Sequence, residues 1–326
     1  VMRSAMGVNA YDKPFFSRVG YYPIYLMPPG KLGGGFGDLT ATRTARSNLS
    51  LTSVLAAQSG NGHWQWYVEQ MGGPQNVSGY VGFVRGALPK VTAAPPDDLP
   101  TSRLFEGTGQ AYLNSDIRDA EKSVQVAFKS SPFGTQSHGY ESNNSFLLWA
   151  YGERLLIRTG RRDSYGSDHH RNWMWTTRSV NSITVDGIGQ KGHSSGAKGR
   201  IVDFKTTPSM DIVTGEAADT YKIKPDDENP DGRLLDRFTR SIVFVKPELV
   251  IVYDRLTARR PATFEYWLHA TEKFAVSDQR NVELRSGDVV CPIDFMEPSG
   301  LTFTQTDQYD PNPRERVKLR EWHLTA

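Results

Sequence analysis

The sequence predicts an α+β multidomain chain in which a helical part with its linker, residues 1–95, precedes an antiparallel β-sandwich, residues 96–326. Two observations carry this prediction. Apolar residues in the first part recur at helical spacing, whereas the second part is a succession of short, alternating apolar segments separated by turns. Consecutive strands without helices between them favour an antiparallel sandwich over a βαβ sheet.

The helical part is predicted from residues 41–71, where Leu49, Val54 and Leu55 form an expected buried stripe. A Gly-Asn-Gly stretch at 60–62 should end the first helix, and an aromatic-rich second helix should follow it. We expect Trp64 and Trp66 of this second helix to fill a core rather than to bind sugar, because aromatic side chains on helices usually pack inside. The proline-rich stretch LPKVTAAPPDDLPTSR then predicts a linker.

Ten segments of the second part are predicted to be strands, because they are short, rich in β-branched and aromatic residues and bounded by turn signals. The Asp186-Gly187 pair is one of these turn signals. The predicted strands are SVQVAFKS, SFLLWAY, RLLIRTG, NSITVDG, RIVDFKTT, DIVTGEA, DRFTRSIVFVK, ELVIVYDRLT, ATFEYWLHA and FAVSD.

Composition excludes several classes of function. The formal net charge of +2 gives no bulk field that would attract nucleic acid, and no apolar run of about 18 residues is present to span a membrane. The single cysteine, Cys291, excludes an internal disulfide framework and a multi-thiolate metal site. The chain has no P-loop, no G-x-S-x-G elbow and no HExxH pair, and we predict no cofactor.

Three polar patches lie in the first half of the predicted sandwich. Arginine forks suit carboxylates and sulfates, and flat aromatic rings suit the faces of sugars, so the patches favour a site for an anionic carbohydrate. A solvated network of salt bridges is the alternative, and for the first patch so is a histidine that satisfies backbone groups. The patches comprise His138, Tyr140, Asn143 and Asn144; Arg158, Arg161, Arg162, Asp163, Tyr165, Asp168, His169, His170, Arg171 and Trp173; and Arg178 and Asn181.

The ordered motifs in residues 137–204 resemble the heparinase II/III-like domain of polysaccharide lyases. They are SHGYESNNSFLLWAYGERLLIRTG, YGSDHHRNWMWTTRSVNSITVDGIGQ and GRIVDF. Upstream, FFSRVGYYPIYLMPPG, GFGD and the linker LPTSRLF resemble the helical domain that precedes the sandwich in the heparinase II-like and exo-alginate-lyase-like branches. The resemblance covers nearly the whole chain. It implies the end of an (α/α) toroid over residues 1–95, followed by the antiparallel β-sandwich over 96–326.

The resemblance assigns His138 to the first histidine of an S-H-x-H motif, which takes part in catalysis. In zinc-bearing relatives three other motif positions bind a metal, and here they are Tyr140, Arg158 and Val180. Tyrosine is a poor zinc ligand, the arginine cation cannot coordinate, and valine has no donor atom, so we expect no zinc there. Arg158 could supply positive charge in place of the ion. The side chains predicted to contact substrate are Tyr140, Asn144, Arg158, His170, Arg171 and Trp173.

The activity implied by the resemblance is cleavage of a uronic-acid polysaccharide, alginate or a glycosaminoglycan, by β-elimination. This reaction needs a group that neutralises the uronate carboxylate, a base that removes the C5 proton and an acid that protonates the departing O4. A non-catalytic carbohydrate-binding sandwich and a purely structural sandwich are the alternative functions.

The expected partners are an anionic polysaccharide and the missing N-terminal segment of the same toroid. By resemblance that segment carries a catalytic tyrosine with histidine and asparagine partners. The chain opens VMRSAMGVNA and closes VKLREWHLTA, which we interpret as the ends of a piece of a longer polypeptide. The piece alone is therefore expected to be inactive or nearly so, and the resemblance implies a periplasmic or secreted parent protein.

Overall fold

The structure, a computed structural model, describes residues 5–33, 35–37, 49–73, 79–86, 88–135, 140–227 and 229–326. Its α-helices all lie in the N-terminal part. Within these ranges no helix combines the length and the apolar character needed to cross a membrane. The α-helices are α1 Tyr21–Leu26, α2 Leu49–Ser59, α3 Gly62–Gln70 and α4 Gly79–Gly86.

The break between α2 and α3 falls at the predicted Gly-Asn-Gly stretch. Gly60 follows α2 with a left-handed φ of 67°, a conformation that glycine adopts without steric cost. The Asn61 side chain then accepts a hydrogen bond from the Trp64 N–H at 3.1 Å and so caps the start of α3. The indole of Trp64 is fully buried, which confirms that it fills a core.

Gly20, immediately before α1, allows the two helices α1 and α3 to approach each other. A Cβ atom at this position would come within 2.3 Å of the Trp64 ring. Real Cβ atoms do not tolerate such a contact, so only glycine permits this approach without moving the indole.

All strands follow the helices, and the ten predicted ones correspond to β3–β12. The closing segment VKLREWHLTA also alternates like a strand and contains the last one, whereas sequence reasoning missed the other five short strands of the described residues, at the two ends of the series. The strands are β1 Arg103–Phe105, β2 Gln110–Asn114, β3 Val124–Lys129, β4 Ser145–Ala150, β5 Glu153–Leu156, β6 Ile183–Val185, β7 Arg200–Thr206, β8 Met210–Glu216, β9 Leu235–Val245, β10 Leu249–Ala258, β11 Phe264–Ala270, β12 Ala275–Val276, β13 Asn281–Ser286, β14 Val289–Asp294, β15 Thr304–Thr306 and β16 Trp322–Thr325.

The strands form four antiparallel sheets, with orders β1-β2-β3-β4-β5, β10-β9-β8-β7, β15-β16-β11-β6 and β12-β13-β14. One hydrophobic core joins the sheets: Phe128 and Phe146 of the first sheet share it with Ile242 and Phe244 of the second. This arrangement is the predicted antiparallel sandwich.

The opposite face of the five-stranded sheet packs against the helices. Leu147 and Trp149 of β4 belong to a second core that includes Tyr25 of α1 and Trp64 of α3. Both faces of the sheet are therefore covered, and every residue of β3 and β4 is buried. This double burial explains why FLLWA, residues 146–150 of β4, is continuously apolar instead of alternating.

A pair of histidines is buried where β11 pairs with β16. His269 lies opposite His323, and their Nδ1 atoms are 3.1 Å apart. One Nδ1 must donate to the other, so at least one ring must keep an unprotonated Nδ1. Burial lowers the pKa of both imidazoles, that of His323 to about 4.

The Gly20→Ala substitution is expected to lower the free energy of unfolding by about 1–3 kcal/mol, because the added methyl displaces the buried Trp64 ring. Urea unfolding monitored by tryptophan fluorescence measures the change. Gly107→Ala is the matched control, since nothing lies within 4 Å of a Cβ at Gly107. Equal stabilities for the two variants would contradict this packing.

The His323→Gln substitution is expected to reduce the acid sensitivity of the fold. Because the folded pKa of His323, about 4, lies below its ordinary value of 6.5, the unfolded chain binds the extra proton between these values. This contribution to stability is complete above pH 6.5 and is lost as the pH falls to 4, at a cost on the order of 3 kcal/mol. Urea midpoints at neutral and acidic pH measure it; an unchanged pH dependence in the variant would refute it.

Candidate functional site

The predicted catalytic residue, His138, lies outside the part of the chain that the structure describes. The chain on either side of it is described and is anchored to the sandwich. On one side, the Thr135 N–H donates to the Ser194 carbonyl at 2.9 Å. On the other, the Glu141 N–H donates to the Trp175 carbonyl at 3.0 Å. Two fixed points of the backbone therefore border the short stretch that carries His138.

Tyr140 is buried and packs against Arg158, whose guanidinium carbon is 4.0 Å from the centre of the phenol ring. The same guanidinium donates to the Met174 carbonyl at 3.3 Å and to the Gly37 carbonyl at 2.9 Å. Gly37 belongs to the helical part, so Arg158 ties that part to the sandwich beside Tyr140.

The three positions that bind zinc in relatives do not fit a metal here. A guanidinium cannot coordinate a cation, and that of Arg158 lies against the Tyr140 ring. Val180, the third position, is fully buried and has no donor atom. Elsewhere in the described ranges, no group of three or more His, Cys, Asp or Glu side chains could hold a metal ion.

Lys129 lies at the end of β3, on the face of the sheet that turns toward the helical part. Its ammonium donates to the Ser142 hydroxyl at 2.9 Å, which in turn donates to the Tyr140 carbonyl at 3.1 Å. The Phe36 ring of the helical part is 5.8 Å from Nζ. Burial, together with the charge of Arg158, lowers the pKa of Lys129 to about 8. Two cations thus lie near Tyr140, Arg158 at its ring and Lys129 through Ser142.

Asn144, predicted to contact substrate, is fully buried and ties the two main sheets together. Its amide donates to the Phe238 carbonyl at 3.1 Å and to the Gly215 carbonyl at 3.3 Å. Its own backbone has a φ of 54°, a region that asparagine tolerates better than most residues. A Cβ at Gly215 would lie 2.2 Å from the Asn144 Oδ1, so this contact requires glycine.

Arg240 holds the backbone of Asn144 in place. This fully buried side chain forms a bidentate pair with Asp254, with distances of 2.7 and 2.6 Å. Its remaining nitrogen donates to the carbonyls of Asn144 and Asn181, both at 2.9 Å. The Asn181 amide in turn donates to backbone carbonyls beside β4 and β5. One cation therefore joins both main sheets to the chain entering β6.

Trp173 and His170 belong to a π-helical turn, His170–Met174, and both are buried. The Trp173 indole donates to the Thr159 hydroxyl at 3.1 Å, and its ring packs against that of His323. His170 accepts the Gly166 N–H at Nδ1. Like Tyr140, Asn144 and Arg158, these residues have partners inside the protein, and their contact with substrate stays a prediction.

Arg171 is the one residue of the predicted substrate set that is exposed. Three rings lie near the same turn: Tyr165 is 78% exposed, His193 is exposed and Trp175 is half-buried. The Trp175 and His193 ring centres are 3.8 Å apart. Sequence reasoning placed Tyr165 in a polar patch but missed Trp175 and His193.

Glu141 was also missed. Its carboxyl accepts hydrogen bonds from the Thr177 N–H at 3.2 Å and the Thr177 hydroxyl at 3.3 Å. Burial outweighs these bonds and raises the pKa of Glu141 to about 8. At neutral pH this carboxyl is therefore mostly protonated and adds little negative charge.

A signal for Lys129 was present in the sequence. In a strand, residues two apart lie on the same face, so Lys129 shares a face with Gln125 and Ala127. A lysine on a strand face that is otherwise buried indicates a specific structural or functional role. No comparable signal marks Glu141, Trp175 or His193, which lie on irregular backbone.

Comparison with solved structures shows what the fold is similar to. Heparinase III, the BT4657 gene product, matches with a TM-score of 0.69 and 14% identity, covering 94% of this chain and 42% of that one. Heparan sulfate lyase HepC from Pedobacter heparinus matches at 0.66 and 16%, covering 93% and 42%. A further heparinase III structure matches at 0.67 and 14%, covering 98% and 46%. At these identities the likeness shows the fold alone.

The chain spans less than half the length of these structures. No curated protein matches it. The family model described as Heparinase II/III-like, C-terminal, matches residues 97–317, which is most of the chain and nearly all of the predicted sandwich. The chain therefore belongs to the heparinase II/III-like family, of which it carries the C-terminal region.

Proposed function

We propose that this chain is part of a polysaccharide lyase that cleaves a uronic-acid-containing anionic polysaccharide by β-elimination. Membership of the heparinase II/III-like family supports the reaction class. The observation that carries the proposal is the placement of two buried cations near Tyr140: Arg158 lies against its ring, and Lys129 is linked to its carbonyl through Ser142. Tyr140 directly follows the stretch that carries His138.

Positive charge at this position suits the chemistry. Removal of the C5 proton of a uronate places negative charge on the carboxylate and the adjacent carbon, and nearby cations stabilise it. The electron pair of the broken C5–H bond then forms the C4–C5 double bond while the C4–O4 bond breaks. A proton delivered to O4 completes the elimination. In a water-poor site these electrostatic interactions are stronger than in bulk water.

We assign His138 a proton-transfer role in this reaction. An imidazole has an ordinary pKa near 6.5, which suits both removal and delivery of a proton near neutral pH. In the family, a catalytic tyrosine and its histidine and asparagine partners lie upstream of the sandwich. We propose that the N-terminal partner segment supplies these residues. The active site would then combine residues of both parts of the protein.

The proposed substrate is a uronate polymer, and the two candidate polymers are a glycosaminoglycan and alginate. The names of the similar structures, heparinase III and heparan sulfate lyase, favour a glycosaminoglycan. Alginate carries carboxylates without sulfates, and arginine and lysine side chains bind both groups. Polymers of both kinds occur outside the cytoplasm, so we propose that the protein is periplasmic or secreted.

In the full-length protein, His138→Ala is expected to lower turnover about 10²–10⁴-fold, because a positioned acid–base group contributes that much. The appearance of unsaturated uronate, followed by ultraviolet absorbance with heparan sulfate, chondroitin sulfate and alginate, measures turnover. The urea midpoint of the same preparation should change by no more than about 1 kcal/mol in free energy.

Lys129→Met and Lys122→Met serve as a matched pair in the same assay. Lys129 is buried beside Tyr140, whereas Lys122 is exposed and pairs with Asp119. Loss of turnover in the first variant alone supports the cationic role. A stable, fully active His138→Ala protein would remove that residue from the mechanism, and binding without any unsaturated product would favour a non-catalytic sandwich.

A further inference from the structure

A row of three rings, Tyr165, Trp175 and His193, lies on the sandwich surface. Trp175 also packs against the buried cluster that contains Tyr140 and Trp173. The ring centres of Trp175 and His193 are 3.8 Å apart, and those of Tyr165 and Trp175 are 6.4 Å apart. Tyr165 is 78% exposed. A largely exposed tyrosine next to a half-buried tryptophan provides flat apolar surface with polar edges, which suits the apolar face of a pyranose.

The row lies beside the candidate active site. The Trp175 carbonyl accepts the Glu141 N–H, and Ser194, next to His193, accepts the Thr135 N–H. Thr135 and Glu141 are the two anchored positions that border the stretch with His138. The backbone of Trp175 and that of Ser194, the neighbour of His193, are therefore bonded to the two sides of that stretch.

His193 is held in a conformation that costs free energy. Its φ is 45°, in the left-handed region that non-glycine residues rarely adopt. Hydrogen bonds on the next residue maintain it: the Ser194 N–H donates to the Thr135 hydroxyl at 3.0 Å. Strain of this kind, about 1–3 kcal/mol, concentrates at binding and catalytic sites.

Arg171 supplies a positive charge beside the row that can pair with an anionic group. Arg171 is exposed, and its Nη2 lies 3.1 Å from where a Cβ at Gly166 would be, so the guanidinium rests against the turn that carries Tyr165. Glu141, whose N–H donates to the Trp175 carbonyl, has its pKa raised to about 8 by burial and so adds little negative charge at neutral pH. The exposed carboxylate of Asp168 is the opposing charge on this loop.

We propose that Tyr165, Trp175 and His193, with Arg171, form a binding subsite for one sugar ring of an anionic polysaccharide. The exposed Tyr165 ring stacks on the apolar face of the sugar, and Trp175, whose plane is tilted 71° from Tyr165 and 72° from His193, contacts the edge of the sugar. The guanidinium of Arg171 pairs with the carboxylate or sulfate of the sugar. The subsite rests on the proposed function for the identity of the polymer.

The test is oligosaccharide binding, measured calorimetrically in the full-length protein with His138→Ala present to prevent turnover. Heparan sulfate and alginate oligosaccharides are compared, which separates sulfate from carboxylate recognition. Tyr165→Ala and Trp175→Ala are each expected to weaken binding about tenfold or more, equivalent to about 1.4 kcal/mol. Arg171→Gln should weaken binding, and the binding affinity of this variant should depend less on salt concentration.

Tyr253→Ala is the matched control, because Tyr253 is 59% exposed on β10, in the other main sheet. Tyr165→Ala removes a ring with little burial and keeps the test valid if Trp175→Ala fails to fold. Unchanged affinity in Tyr165→Ala, or no binding of either oligosaccharide by the protein without ring substitutions, would overturn the subsite. Binding that depends on the rings supports it even if no oligosaccharide is ever cleaved.

Discussion

A single buried cation, Arg240, joins the parts of the sandwich from which the candidate site is built. Its bidentate pair with Asp254 satisfies the charge, and its remaining nitrogen holds the carbonyls of Asn144 and Asn181. Removing one partner of such a pair leaves the other charged and buried, which costs about 3–5 kcal/mol. The turns entering β4 and β6 therefore depend on a contact that lies well below the surface.

Because Arg240 holds the Asn144 carbonyl, the polar stretch before β4 can border a tightly packed sheet. The five-stranded sheet is covered by the other strands on one face and by helices on the other. Lys129 and Arg158 reach the helical side, where they meet Phe36 and Gly37. The cations proposed to stabilise a uronate thus lie where the helical part of the chain meets the sandwich.

The strands were predictable because alternation and turn residues are local signals. Each of the strands β3–β12 overlaps one of the predicted segments. Asn144 shows where such reasoning stops. Its place in a polar cluster suggested a substrate contact, yet a left-handed backbone turns its amide toward Gly215 and Phe238. Trp173 and Trp175 are two residues apart at the end of a π-helical turn, and sequence periodicity does not reveal which ring faces inward there.

Hydrogen exchange in Arg240→Met tests most directly whether this buried cation positions the site. Faster exchange is expected at the Ser145 and Ser182 amides, next to the two carbonyls that Arg240 holds, with little change in the helical part. The control is Arg255→Met, because Arg255 is exposed on β10 directly after Asp254. This variant should leave hydrogen exchange unchanged. Exchange in Arg240→Met that matches the unsubstituted protein at both turns would contradict the account.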